Sequence, residues 1–263
     1  MPNIVAIVQA RMSSTRLPGK VLKPLGSKIA VARVVHQLSG SKRINHIVLA
    51  TSIDASDDPL VSWARRTRTE YMRGSLHDVL DRYYRTATHF KADIVVRITA
   101  DCPLIDPVIV DSVIERLLEG DCDYAANVNP PTFPDGYDSE VMTFEALERT
   151  WTNAHEQPER EHVTLHIRNH PELFRVANVA HTDDISKLRL TLDTQEDYDF
   201  LNRVIQKLEM KHISEANPRF LLRDVLEMLN KDRFLFADAP SNDGYSPKES
   251  YYSLLQSQYM PRL

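Results

Sequence analysis

Along the first half of the chain, segments in which apolar residues are spaced as in buried strands alternate with segments in which they are spaced as in helices. A β-branched run at 4–8 has no polar break, as expected for a parallel strand covered on both faces. Residues 30–38 follow with helical spacing. The order repeats, which predicts an α/β fold with a mostly parallel central sheet and helices on both faces.

The same patterns predict the later elements. Strands are expected at 47–50, 71–72, 94–98, 139–143, 174–180 and 190–192, and helices at 59–66, 79–90, 107–118, 144–153, 159–169 and 195–208. Asp78 and Thr194 are the expected N-caps of two of these helices. Residues 127–138 hold three prolines and a glycine, which predicts a loop.

The chain divides into a main domain at 1–230 and a C-terminal extension at 231–263. The extension holds six of the chain's twenty aromatic residues, and disordered tails are poor in aromatics. We expect it to dock on the domain or on a second subunit, and a partly ordered tail is the alternative.

Composition narrows the class of protein. The 263 residues suffice to bury a core, and no apolar run approaches the roughly 18 residues of a membrane span. Two cysteines, Cys102 and Cys122, without a histidine at metal-ligand spacing argue against a disulfide framework and a structural zinc site. The N-terminus resembles a strand rather than a signal peptide. We expect a cytoplasmic protein without a membrane partner.

Basic charge is concentrated beside the first strand. The chain has a net charge of -5, yet its first 53 residues hold eight lysines and arginines and no acidic residue. This local surplus predicts an anion site. The residues after the first 53 are acidic overall, and the chain lacks a basic helix and any aromatic–basic repeat. We therefore expect no nucleic-acid partner. A small polyphosphate is the favoured anion.

The loop at 9–20 follows the first strand, where open α/β sheets bind ligands. Its sequence, QARMSSTRLPGK, matches neither the Walker A pattern nor the dinucleotide glycine pattern. Three hydroxyl residues and three cations, Arg11, Arg16 and Lys20, suit phosphate oxygens. A solvated basic loop is the alternative interpretation.

Two aspartates complement this loop. Asp101 and Asp193 each follow an apolar segment predicted as a strand, so both are expected at the sheet edge that carries the loop. Together they are candidate ligands of Mg²⁺, which takes one or two carboxylates and phosphate oxygens in nucleotide enzymes. Helix caps or turn formers are the alternative roles.

The loop 9–20 resembles the nucleotide loop of the cytidylyltransferases that activate Kdo and acylneuraminates as CMP-sugars. Six further motifs are similar to the spore-coat polysaccharide branch of that family, at 73–75, 78–83, 97–107, 133–141, 161–163 and 192–197. The resemblance runs from about residue 4 to residue 208. It departs from the Kdo enzymes at Cys102, where they have an acidic residue, and at Gln195, where they have proline.

The resemblance implies a Rossmann-like nucleotidyltransferase fold over 1–230, with 127–180 as an acceptor and dimerisation region of a homodimer. It implies CTP in the first loop, Mg²⁺ on Asp101 and Asp193, and transfer of CMP to a sugar or sugar acid for surface polysaccharide biosynthesis. The expected catalytic residues are Arg11, Lys20, Asp101 and Asp193. The expected nucleotide-binding residues are Ala10, Arg11, Ser14, Arg16, Lys20, Gly74 and Ser75. The expected acceptor-binding residues are Asp138, Glu140, Arg160 and His162.

Some alternatives stay open. His162 is either a group that assists proton removal or a buried structural histidine. The Asp121-Cys122-Asp123 triplet has the Asp-x-Asp form by which nucleotide-sugar glycosyltransferases hold a metal. A non-catalytic nucleotide-binding or scaffold protein is the third possibility, and the intact cations and aspartates argue against it.

Overall fold

The computed structural model of the protein describes residues 1–232, 235, 239 and 240. The strands are β1 Ile4–Gln9, β2 Pro24–Leu25, β3 Lys28–Ile29, β4 His46–Ser52, β5 Glu70–Gly74, β6 Ile94–Thr99, β7 Tyr124–Ala126, β8 Glu140–Thr143 and β9 Val176–Asn178. The helices are α1 Ala30–Leu38, α2 Asp58–Thr67, α3 Val79–His89, α4 Pro107–Leu118, α5 Phe144–Asn153, α6 Gln157–Glu161, α7 Leu165–Asn169, α8 Gln195–Lys211 and α9 Leu222–Lys231. Most of the extension predicted at 231–263 lies outside the described residues.

Seven strands form one sheet in the order β5-β4-β1-β6-β8-β7-β9, and β2 and β3 form a separate hairpin. The pairs β5/β4, β4/β1, β1/β6 and β7/β9 are parallel, whereas β8 runs antiparallel to β6 and β7. The predicted α/β fold with a mostly parallel sheet is confirmed. Within the described part of the chain, no helix has the length and apolar character needed to cross a membrane.

Helices cover both faces of this sheet, and alternate side chains of β1 are buried in the two cores that result. Ala6 and Val8 pack in the core that α1, α2 and α4 line. Val5 and Ile7 pack in the opposite core with α3 and α5. A third apolar cluster holds α8 and α9 together, and Leu235 is buried in it. The continuous apolar run at 4–8 therefore reflects burial on both sides of the strand.

The strand order creates a crevice between the carboxyl ends of β1 and β6. From β1 the chain adds β4 and β5 on one side and then returns to place β6 on the other. Such a reversal is the topological switch point at which open α/β sheets bind ligands. The loop after β1 and Asp101 after β6 both lie at this crevice.

Two predicted elements are wrong. The helix expected at 159–169 is split into α6 and α7 because the backbone at Val163 has a φ of 46°. The segment 190–192 is not a strand of the sheet. Its backbone pairs instead with irregular segments, since Leu190 N–H donates to the Asp135 carbonyl at 2.7 Å and Leu192 N–H to the Asp101 carbonyl at 2.8 Å.

The loop after β1 is anchored by a buried carboxylate. Asp57 is fully buried, and its side chain accepts hydrogen bonds from Met12 N–H at 2.7 Å and Ser52 N–H at 3.0 Å. It also accepts from the Ser52 hydroxyl. The loop is therefore tied to the end of β4 by one side chain.

We expect Asp57→Ala to lower the free energy of unfolding by about 1–3 kcal/mol, because buried N–H and O–H donors lose their acceptor. Urea unfolding followed by circular dichroism measures this loss. The neighbouring Asp58→Ala removes only an exposed pair with Arg73 and is expected to cost much less. Equal losses from the two substitutions would contradict the anchoring role.

Candidate active site

Lys20 is turned into the crevice by the tight turn that precedes it. Gly19 has a φ of 70°, a conformation that residues with a Cβ rarely adopt. The short 3-10 helix that follows begins at Lys20, which is only 8% exposed. A long cationic side chain is thus buried at the switch point.

Asp101 and Asp193 converge on this ammonium group. Lys20 Nζ donates to Asp101 Oδ2 at 2.7 Å and to Asp193 Oδ1 at 2.6 Å. Burial alone would lower the pKa of Lys20, but the two carboxylates raise it above its usual value. Burial alone would raise the pKa of Asp193, but the Lys20 hydrogen bond and charge hold it below its usual range. Lys20 and Asp193 are therefore both ionised at neutral pH.

Asp193 reaches Asp101 through backbone contacts rather than through the sheet. Leu192 N–H and the Thr191 hydroxyl both donate to the Asp101 carbonyl, at 2.8 and 3.3 Å. Thr194 then caps α8 in a capping box with Asp197, which confirms the predicted N-cap. Gly136 allows the close passage of this segment, since a Cβ there would lie 2.5 Å from the Leu190 carbonyl.

Arg189 is a site residue that the sequence analysis missed. Its guanidinium contacts Asp193 at 2.9 Å, Asp197 at 3.0 Å and Asp135 at 2.8 Å. Arg16 also pairs with Asp193 Oδ2 at 2.9 Å. The spacing of four residues between Arg189 and Asp193 was the available sequence signal for their ion pair. The other partner of Arg189, Asp135, lies far away in the sequence.

A cavity of about 340 Å³ opens beside these ion pairs. Its lining combines residues predicted for the site, Ala10, Arg11, Ser14, Arg16, Lys20, Asp101, His162 and Asp193, with Gln9, Thr15, Val21, Thr99 and Ala100. The volume lies in the range of small-molecule sites. The basic loop and the aspartates are thus brought together around one cavity.

Gly74 and Ser75 lie outside that lining, at the end of β5 on the same edge of the sheet. The Ser75 hydroxyl accepts from the backbone N–H groups of His77 and Asp78, at 3.2 and 3.0 Å, and shapes the start of α3. One strand, β4, therefore lies between these two residues and β1, which carries the loop 9–20.

Asp138 is a half-buried carboxylate without a hydrogen bond or ion pair among the described residues. Burial, together with the negative charges of Asp135, Glu140 and Asp101, raises its pKa to about 7. Asp138 is not among the residues that line the cavity, but it is near enough to Asp101 for the two charges to interact.

Glu140 and Arg160, predicted for the acceptor, have their polar atoms already engaged. Glu140 is 3% exposed and accepts from Tyr124 at 2.7 Å, from Thr164 at 2.9 Å and from Arg97. Arg160 donates to both carboxylate oxygens of Asp78 and to the Trp151 carbonyl. These contacts stabilise the fold. Most of the partners of Glu140 and Arg160 lie far away in the sequence, so the sequence pattern did not indicate them.

His162 lies at the break between α6 and α7 and is exposed on the cavity. The alternative of a buried structural histidine in a helix is therefore wrong. The adjacent Glu161 lies 3.7 Å from Arg11, so this break meets the loop after β1.

The donor set of the site fits a hard divalent cation. Asp101 and Asp193 offer oxygen ligands, and Lys20 Nζ already shows that one positive charge contacts both carboxylates. Cys102 does not replace the acidic neighbour of the Kdo enzymes, because it is buried and burial raises the pKa of its thiol well above the usual value.

The Asp-x-Asp triplet of the glycosyltransferase alternative lies elsewhere, ahead of β7. Asp121 pairs with Arg116 at 2.5 Å, and Asp123 pairs with Arg175 at 2.7 Å. Both carboxylates are thus engaged by arginines away from the cavity, which argues against a metal site there.

Comparison with known proteins identifies relatives over most of the chain. The spore coat polysaccharide biosynthesis protein SpsF of Bacillus subtilis (strain 168) is 37% identical over 239 residues, which are 88% of this chain and 96% of that protein. A cytidylyltransferase structure from Leptospira borgpetersenii superposes with a TM-score of 0.82 at 31% identity, covering 89% of this chain and 97% of that one.

A more distant structure shares the fold. CMP:2-keto-3-deoxy-manno-octonic acid synthetase in complex with CTP has a TM-score of 0.59 at 15% identity and covers 78% of this chain and 99% of that one. The family model described as Cytidylyltransferase matches residues 5–234. With this match, the chain belongs to the cytidylyltransferase family, as the motifs in its sequence predicted.

Proposed function

We propose that the protein is a Mg²⁺-dependent enzyme that transfers CMP from CTP to a hydroxyl of a sugar or sugar acid and releases pyrophosphate. The observation that carries the proposal is the convergence of Asp101 and Asp193 on one cation, beside a cavity lined by the basic loop. Membership of the cytidylyltransferase family supports it. The similarity to a spore coat polysaccharide protein supports a role in surface polysaccharide biosynthesis.

The charges of the site suit the reaction. An acceptor oxygen attacks the α-phosphorus, the bond to the β-phosphate breaks, and pyrophosphate carries away the electron pair. Negative charge therefore grows on the phosphate oxygens, where Arg11, Arg16 and Lys20 offer cations. Mg²⁺ on Asp101 and Asp193 would polarise the α-phosphate when bound.

Binding of the triphosphate and its cation can proceed by exchange of ion pairs that the cavity already holds. In the structure, Arg16 is paired with Asp193 and Arg11 faces Glu161. Phosphate oxygens could replace these carboxylates as partners of the arginines, and Asp101 and Asp193 would hold a divalent cation in place of the Lys20 ammonium. Lys20 then becomes available to the outer phosphates.

Asp138 is the group we assign to the acceptor hydroxyl. Its carboxylate has no partner among the described residues, and it is close enough to Asp101 for the two charges to interact. With a pKa of about 7, it takes the proton that the acceptor oxygen loses. We assign His162, which lines the cavity, to contact with the acceptor or the nucleotide. The acceptor and dimerisation roles of 127–180 remain predictions that belong to this proposal.

Asp101→Asn and Asp193→Asn are expected to reduce kcat by about a hundredfold or more, because each removes a charged ligand of the metal. Pyrophosphate release at saturating Mg²⁺ measures turnover, and Asp121→Asn is the control outside the cavity. Both variants should remain folded, since Lys20 keeps one carboxylate partner. Normal turnover of both variants would exclude the metal assignment, and unfolding of both would make the aspartates structural.

Arg11→Ala and Arg16→Ala are expected to weaken CTP binding by roughly tenfold to a hundredfold, at about 1.5–3 kcal/mol for a charge-assisted contact. CMP should lose less affinity, because it lacks the outer phosphates. Calorimetric titration gives both constants, and Arg43→Ala, a basic residue paired with Glu115, is the matched control. Equal losses for CTP and CMP would move the arginines off the outer phosphates.

Asp138→Asn is expected to reduce kcat by about a hundredfold or more while CTP affinity changes little, since a proton acceptor is lost but no phosphate contact. Wild-type turnover should fall as the pH drops through about 7, where Asp138 becomes protonated. His162→Gln serves as the comparison. If that variant loses the pH dependence and Asp138→Asn keeps it, His162 is the proton acceptor.

The same group affects stability. The folded-state pKa of Asp138 is raised from 3.8 to about 7, so the folded protein holds this proton more tightly than the unfolded chain. The bound proton stabilises the folded state fully below the pKa that Asp138 has in the unfolded chain. This stabilisation is lost as the pH rises through about 7. Asp138→Asn should therefore raise Tm more at pH values above 7 than at acidic pH, and calorimetric scans at the two pH values test it.

A further inference from the structure

Outside the candidate active site, two histidines and a glutamate come together around the break between α6 and α7. Glu159, His166 and His170 each offer one donor atom, and these atoms lie within 4.8 Å of one another. Glu159 comes from α6, His166 from α7, and His170 from the end of α7. We propose that this cluster is a second metal site that binds a divalent transition-metal ion, with Zn²⁺ as the representative ion.

The geometry within the cluster is close to that of a ligand set. Glu159 Oε2 lies 3.0 Å from His166 Nδ1, and Glu159 Oε1 lies 3.9 Å from His170 Nε2. The two imidazole rings are 4.4 Å apart between centroids. The spacing His166-x-x-x-His170 puts both rings on one side of a helical turn, a spacing that zinc proteins use.

Glu172 orients one of the ligands. Its Oε1 lies 3.0 Å from His170 Nδ1 and is the acceptor for that N–H. His170 Nε2 therefore carries the lone pair and faces Glu159. A carboxylate that fixes the tautomer of a metal-binding histidine is a common outer contact of such sites.

The buried His166 has one ring nitrogen that makes no hydrogen bond within the described residues. It is 5% exposed, and its Nε2 has no hydrogen-bond partner within the part of the chain that the structure describes. An unengaged imidazole nitrogen in the interior is costly unless it acquires a partner. A flip of the imidazole ring would turn Nε2 toward Glu159, where a bound cation could become its partner.

The donors also decide which metal is selected. Two imidazoles and one carboxylate suit Zn²⁺ and related ions, whereas Mg²⁺ prefers oxygen ligands. Three protein ligands leave further coordination positions for water. The two sites of the protein thus select different ions, and Zn²⁺ bound here would tie α6 to α7 across the break that presents His162.

The test is metal binding by the full-length protein after chelation and dialysis, in excess Mg²⁺ to occupy the oxygen site. We expect calorimetry and elemental analysis to show one Zn²⁺ per chain, and Co²⁺ to give the visible absorption of a low-coordinate site. Zn²⁺ should also raise Tm.

His170→Gln is expected to abolish this binding, and Glu172→Gln to weaken it by at least about tenfold. Both residues are partly or largely exposed, so the variants should remain folded. His155→Gln, an exposed histidine outside the cluster, is the matched control and should bind Zn²⁺ like the wild type. No bound Zn²⁺ in the wild type, or equal binding by His170→Gln, would overturn the proposal.

Discussion

Two carboxylates held around one buried ammonium group determine the geometry of the site. Asp101 and Asp193 would repel each other at this separation, and Lys20 would be costly to bury without a partner. Each of these charges is therefore stabilised by the others. Because Lys20, Asp101 and Asp193 come from three distant parts of the sequence, their pairing joins the loop after β1, the end of β6 and the start of α8 into one unit.

This arrangement also explains why the fold places extra cations around the aspartates. Arg189 links Asp193 to Asp135 and Asp197, so the acidic side of the cavity is balanced by a cation of the protein itself. Under the proposed function, a triphosphate with its cation would enter a site whose charges are already compensated. Recognition then depends on exchanging partners among preformed groups, which keeps desolvation costs low.

The sequence was a good guide wherever local patterns dominate. The ends of α1, α4 and α5 match the predicted ranges, and the meeting of Asp101 with the loop 9–20 follows from the parallel order of β1 and β6. The role of Lys20 as a bridge was not predictable, because it depends on which of three cations reaches the interior.

Long-range partners account for most of what the sequence did not predict. Glu140 and Arg160 look like free polar residues until Arg97 and Asp78 are placed beside them. The break at Val163 needs a positive φ that a β-branched residue rarely adopts, so no local signal predicts it. The segment 190–192 has the apolar pattern of a strand, yet its hydrogen-bond partners lie in a loop and after β6.

Gly136 couples the path of the loop 127–138 to the position of Asp193. The loop that carries Asp138 presses at this glycine against the segment that delivers Asp193, with no room for a single methyl group. A change of backbone path at Gly136 would displace the segment that carries Asp193, so the loop can change its exposed side chains more readily than its backbone.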